Sequence, residues 1–285
     1  MKATITPQQF AIFRIAFGIY LTLHFIDLVP YSAELFSRAG MLGDARSNFT
    51  YGLLPNPLEH WDSPRFVTAF LAALALLSAA FTVGFCRGYA AFAIWFGWAC
   101  LFNRNNLISN PSLPYVGMLL LLTIIVPHGE PWSVRREDPN WLFPAGAYWV
   151  AWALLALGYT FSGWTKLQSP SWIDGSALEH VLNNPLARPG FARDTLLGFP
   201  SLLQLLTWGT LALELLFLPL SLHRIAHPVV WSAMCFLHVG ILLLVDFADL
   251  SLGMLAVHLF TFDTKWISFR CMVRERERLL LEVAR

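Results

Sequence analysis

No charged side chain occurs between Phe66 and Phe85. An apolar run of that length, coiled as a helix, rises about 30 Å, the thickness of a bilayer's hydrocarbon core. Inside lipid every backbone N–H and C=O must be paired within the protein, which leaves helices and closed barrels as spanning structures. The run is continuously apolar and does not alternate, so it reads as a helix. Similar runs cover Phe10 to Val29, the stretch after Arg87-Gly88 to Phe102, Leu113 to Val126 and Pro144 to Phe161. Three more follow at Leu202 to Leu222, Val229 to Val245 and Leu250 to Phe262. The expected fold is all-α, a polytopic bundle of about eight spans in residues 1–262, with the bilayer as its first partner. The fourth and eighth runs are short for a crossing.

Composition excludes other classes. The 285 residues are 56% hydrophobic and only 13% charged, half the charge of an ordinary soluble domain. A net charge of +1 and the lack of a basic face give no support for nucleic-acid binding. Cys86, Cys100, Cys235 and Cys271 show no paired spacing, so neither a disulfide framework nor a metal centre is expected. Met1-Lys2-Ala3-Thr4 lacks the features of a cleaved leader, and the first run is read as a retained span. Residues 263–285 alternate Arg and Glu and suit an amphipathic helix on the membrane surface.

Eight spans place both termini on one side. That side carries Lys2, Arg87, Arg135, Arg136, Arg224 and the tail cations, against Arg38, Arg46, Arg65, Arg104, Lys166, Arg188 and Arg193 opposite. The excess assigns both termini to the cytoplasm, in the inner membrane if the source is bacterial. The loops holding Asn103 to Asn110 and Ser162 to Pro200 then face outward. Asn48-Phe49-Thr50 is a glycosylation sequon on that face.

Ionisable groups at membrane depth cost several kcal/mol unless paired or hydrated, which makes each a functional candidate. They are Arg14, His24, Asp27, Lys166, Glu214, His238, Asp246, Asp249 and His258. Arg14 is a candidate to pair with a buried acid such as Glu214. His24 and Asp27 share a helical face and can simply meet the interface, while Asp246 and Asp249 flank a turn where water reaches. Glu214 and His238 lie deep in their runs and must face the interior, for structural bonding or for chemistry.

The densest constellation is Tyr159-Thr160-Phe161-Ser162-Gly163-Trp164-Thr165-Lys166-Leu167 followed by Ser171-Trp172-Ile173-Asp174-Gly175-Ser176-Ala177-Leu178. Lys166 falls just past the fifth run, where apolar neighbours would desolvate it and favour its neutral, basic form. The alternative is an interfacial lysine that reaches up to headgroups within an aromatic belt. Gly175 to Leu182 could form a short interfacial helix.

These residues resemble the horizontally transferred transmembrane (HTTM) domain family, which includes the membrane part of vitamin K-dependent γ-glutamyl carboxylase. The likeness rests on Ser162-Gly163 to Lys166-Leu167, on Trp172 and Gly175, on Glu214 within a span, and on His238 followed by Ser251-Leu252-Gly253-Met254. It implies a helical membrane fold with a polar chamber opening outward and a vitamin K-type hydroquinone, a reduced quinone, as cofactor. By the resemblance Lys166 is the catalytic base. Arg14, Asn103, Arg104, Asn110, Trp172, Asp174, Gly175, Glu214 and His238 surround the quinone or substrate. Two departures stand out. Thr165 replaces the first of two lysines, and Ser109-Asn110-Pro111 stands where the family has asparagines and a histidine. The sequence also carries no large lumenal domain after the last span, so carboxylation of a docked protein is not expected.

Three function classes remain. A quinol-dependent, carboxylase-like lyase acting on a small-molecule or peptide substrate ranks first. A non-catalytic scaffold or export partner for another protein ranks second, and a small-solute transporter third.

Overall fold

The computed structural model describes residues 5–266. The tail beyond Trp266, with Cys271, lies outside the described residues. Among those described, twelve α-helices and four short 3-10 turns account for the regular structure, and the lone β feature is an antiparallel bridge between Ala187 and Val245.

The long helices are α1 (Pro7–Leu28), α3 (Pro64–Thr82), α4 (Arg87–Arg104), α6 (Ala145–Lys166), α10 (Pro200–Ser221) and α11 (Ala226–Leu244). Two shorter apolar helices are α5 (Leu113–Ile125) and α12 (Ala248–Phe260). Four small helices lie in the connections: α2 (Ser32–Phe36), α7 (Pro170–Asp174), α8 (Ala177–Leu182) and α9 (Phe191–Leu197). Each expected run is therefore a helix, with ends displaced by a few residues. Pro7–Phe36, Pro64–Thr82, Pro200–Ser221 and Ala226–Leu244 are long and apolar enough to cross a membrane.

Local chemistry sets the starts. Thr6 caps α1 by accepting the Gln9 N–H at 3.1 Å, with Pro7 behind it. Ser63 caps α3 in the same way before Pro64. Proline is suited to the first helical turn because its missing N–H would be unpaired there anyway. Cys86 enters α4 from the left-handed region, at φ 45°.

The core is aromatic. Phe10, Phe13, Phe17, Phe81 and Phe260 are each 1% exposed or less, and Phe13 meets Phe260 edge-on at 4.8 Å. Leu23, Leu76, Phe92, Leu157, Phe161, Leu205, Phe236 and Leu243 point outward instead. So many exposed large apolar side chains suit a lipid solvent.

Several expectations need correction. Lys166 is the last residue of α6 and does not lie beyond it, because the helix continues through Ser162 and Gly163. Arg87 opens α4 as a fully buried residue and is not a loop cation. The expected Gly175–Leu182 helix begins at Ala177; Gly175, at φ 88°, ends α7 in a left-handed conformation that suits glycine. Asn48 is 4% exposed and its Nδ2 donates to the Asn103 carbonyl at 2.6 Å, so the sequon nitrogen is used inside the fold.

Candidate functional site: a polar seam along α6

Tyr159, Ser162 and Lys166 follow one another at spacings of three and four, which places them on one face of α6. That face meets α10 closely. A Cβ on Gly163 would lie 2.7 Å from the Leu215 nitrogen, so glycine here lets the two backbones approach.

The contact delivers Glu214 to Lys166. Lys166 Nζ donates to Glu214 Oε2 at 2.5 Å and to Ser162 Oγ at 2.8 Å. It also lies 5.0 Å from the centre of the Trp172 ring. The lysine side chain is 22% exposed and the glutamate 9%, so the pair is largely withdrawn from solvent. One turn deeper, Thr160 Oγ1 accepts the Leu218 N–H at 3.1 Å, and Phe217 packs on Tyr159 at 4.9 Å. Tyr159 then meets two histidines from different helices. Its hydroxyl is 2.7 Å from His238 Nε2 on α11 and 2.8 Å from His258 Nε2 on α12.

Asp174 and Gly175 stand beside this seam as supports. Gln204 and Trp208 donate to the carbonyls of Asp174 and Ile173, tying α7 to α10. The Ser176 hydroxyl and N–H hold the Asp174 carboxyl below the usual carboxylate range. They keep it on its own turn.

Other expected chamber residues lie elsewhere. Arg14 does not reach Glu214. It contacts Glu130 Oε1 at 3.1 Å, and Arg87 approaches the same oxygen at 3.2 Å, with all three side chains 1% exposed or less. Arg14 also donates to the Thr82, Pro131 and Trp132 carbonyls, and Arg87 to those of Thr123, Val126 and Pro127. Thr82 and Thr123 are in the last turns of α3 and α5, whose partial negative ends help to balance two cations on one carboxylate. Arg104 donates to the Leu42 carbonyl at 2.7 Å, fastening the loop before α3.

Asn103 and Asn110 line a cavity of about 730 Å³ between α4 and α5, walled by Trp95, Trp98, Phe102 and Met118. An adjoining cavity of about 340 Å³ shares Trp98, Phe102 and Asn110 and holds His24 and Asp249. Those last two bond at 2.9 Å, which gives His24 a partner other than Asp27. Lys166 and Glu214 line neither cavity.

The expected chamber thus resolves into the α6 seam, the Arg14–Arg87–Glu130 cluster, and the α4–α5 cavity. Glu130 escaped sequence reading, and Tyr159 stands at the head of the densest constellation with no role assigned to it. Tyr159 looks like one more aromatic in an apolar run, though its spacing from Ser162 and Lys166 was a usable signal. Glu130 sits in a polar loop that resembles a hydrated one. Among the described residues no cluster of metal-ligating side chains occurs.

No curated protein and no solved structure gives a significant match. The HTTM domain matches residues 3–266, nearly the whole chain and every helix described above. The seam on α6 is therefore part of a domain shared by a carboxylase-related membrane family, and the chain belongs to the HTTM domain family.

Proposed function

We propose that this protein is a quinol-dependent membrane enzyme with carboxylase-like chemistry, in which Lys166 is the base that removes a proton from the cofactor's hydroxyl. The observation that carries the reading is the 2.5 Å contact between Lys166 Nζ and Glu214 Oε2. The contact holds Nζ in a fixed place inside the bundle, where Lys166 in its amine form would accept a hydroxyl proton from a bound quinol. Ser162 fixes the Nζ position, and Trp172 provides a flat wall beside it.

A reduced quinone, when bound, supplies the acidic hydroxyl and the reducing electrons. The amine, hydroxyl and indole fit such a group in chemistry. The α4–α5 cavity lies apart from them. The acceptor of the activated chemistry is a small molecule or a peptide.

The same proposal takes α1, α3, α4, α5, α6, α10, α11 and α12 as eight crossings with both termini cytoplasmic. The outward-facing apolar side chains support a membrane setting, and four of the eight helices are long and apolar enough to cross it. Burial of Arg87 and Arg104 removes both from the loop charges, which leaves the orientation to rest on Lys2, Arg135, Arg136, Arg224 and the tail.

The test is quinol oxidation under air by protein in lipid nanodiscs, with and without CO2, using several menaquinols and ubiquinols. Oxygen-dependent turnover is expected for the wild type and its loss for Lys166→Ala. Lys166→Arg separates base from tie, because arginine keeps the charge but does not deprotonate. Loss in a folded Lys166→Arg variant supports the base. Absence of turnover with every quinol overturns the reading and favours a scaffold, for which the same contact is an interhelical tie between α6 and α10.

A further inference from the structure

His24 Nδ1 lies 2.9 Å from Asp249 Oδ1, joining α1 to the first turn of α12. A carboxylate can only accept, so the neutral ring carries its proton on Nδ1 and presents Nε2 as a bare acceptor. The side chain is 8% exposed, and Nε2 is buried with no partner among the described residues. A buried polar atom left unmet costs about 1–3 kcal/mol. The ring that carries it lines the cavity of about 340 Å³.

Asn110 lines the same cavity and is 7% exposed. Its Oδ1 accepts the Ser112 N–H at 2.8 Å and the Ser112 hydroxyl at 2.5 Å. The backbone N–H fixes which end of the amide is oxygen. Nδ2 is left as a donor with no partner among the described residues.

One acceptor and one donor thus stand unmet on one small cavity. A hydroxyl answers both, since its proton goes to Nε2 and its oxygen accepts from Nδ2. A ketone or an ether has no proton to give. A carboxylate has none either, and it would meet Asp249, which lines the cavity as well. The remaining space suits hydrocarbon. The adjoining cavity, about 730 Å³, is walled by Trp95, Trp98 and Met118 and has the size of an ordinary small-molecule site. Leu121 on its wall and Ile125 one turn on are exposed, so it borders the outward apolar surface.

We propose that the two adjoining cavities form a binding site for an uncharged lipid alcohol, with its hydroxyl at His24 and Asn110 and its chain between α4 and α5. Lys166 and Glu214 line neither cavity, so the site stands apart from the quinol reading. Asp249 is a positioning residue, because it acts on the ligand through the tautomer of His24.

The experiment is photolabelling of the full chain in lipid nanodiscs with a diazirine-bearing hexadecanol, with labelled peptides mapped by mass spectrometry. Label is expected on α4 and α5 at the cavity wall, and excess hexadecanol should remove it. Hexadecyl methyl ether and palmitate should compete about tenfold less well, the loss of one good hydrogen bond. His24→Phe and Asn110→Leu should abolish the competed label. Asp249→Leu frees the His24 tautomer, so the advantage of alcohol over ether should shrink, whereas a packing role alone would leave it unchanged. Should these variants fail to fold, Gly117→Leu fills the cavity, because a Cβ there meets Trp95 only at an ordinary 3.4 Å. The competed label should then vanish. Equal competition by alcohol, ether and palmitate would reduce the cavities to a slot for bulk lipid tails and overturn the site. A menaquinol that competes where hexadecanol does not would overturn it in favour of the quinol.

Discussion

Arg14 Nε stands 3.1 Å from Glu130 Oε1, which joins the middle of α1 to the loop after α5. Arg87 shares that oxygen from the first turn of α4. One carboxylate therefore fixes two helices and a loop, and the buried charges remain tolerable only while all three are present.

Glu130→Gln should destabilise the protein by about 3–5 kcal/mol, because it leaves two desolvated guanidiniums with carbonyl partners alone. Denaturant unfolding in detergent checks this. A change under 1 kcal/mol would mean that the helix ends carry the balance without the acid.

Gly163→Ala and Gly209→Ala should act in opposite directions. The first places a Cβ 2.7 Å from the Leu215 nitrogen and 3.0 Å from its Cγ, an overpacking that costs about 1–3 kcal/mol. It should also loosen the contact of Lys166 with Glu214. Gly209, in α10, has open space where the Cβ would go, and alanine there should stabilise by about 0.4–1 kcal/mol. Thermal melts of the two variants provide the comparison.

His128 gives stability a pH dependence. Burial, then the Arg87 and Arg135 charges, lower its pKa below the ordinary imidazole range, against a smaller opposing effect of Glu130. The unfolded chain therefore binds the proton more readily than the folded one. Its contribution is present above the unfolded value of about 6.5 and is lost as pH falls from there through the lower folded value. His128→Gln should flatten the stability profile between pH 7.5 and 5.5, and an unchanged slope would assign that dependence to other groups.

Impermeant maleimide should label Arg188→Cys in intact cells and Arg135→Cys only after permeabilisation, in a background without the native cysteines. Arg188 is on the loop between α8 and α9 and is substantially exposed. The reverse pattern would place both termini outside.

Much of the fold was legible from the sequence for a local reason. An apolar run must be helical in lipid whatever its neighbours, so α3, α10 and α11 announce themselves, and even the short α5 and α12 follow from their composition. Two starts lie earlier than hydropathy placed them, at Pro7 and Pro64 and not at Phe10 and Phe66, because Thr6 and Ser63 cap the helices just before a proline. The end of α6 was misread because Ser162 and Gly163 look like a loop. They are helical because a small residue is what the α10 backbone requires there.

The sequence by itself determined that the chain is helical, that it suits a bilayer, and that Arg14, Lys166, Glu214 and His238 cannot face lipid unpaired. The partners were decided only by tertiary structure. Glu130 takes both Arg14 and Arg87, Glu214 takes Lys166, and Tyr159 gathers His238 and His258 from two other helices. Hydropathy is a property of each segment alone. Which buried charge meets which is set by how segments far apart in the chain pack side by side, and no local pattern records that choice.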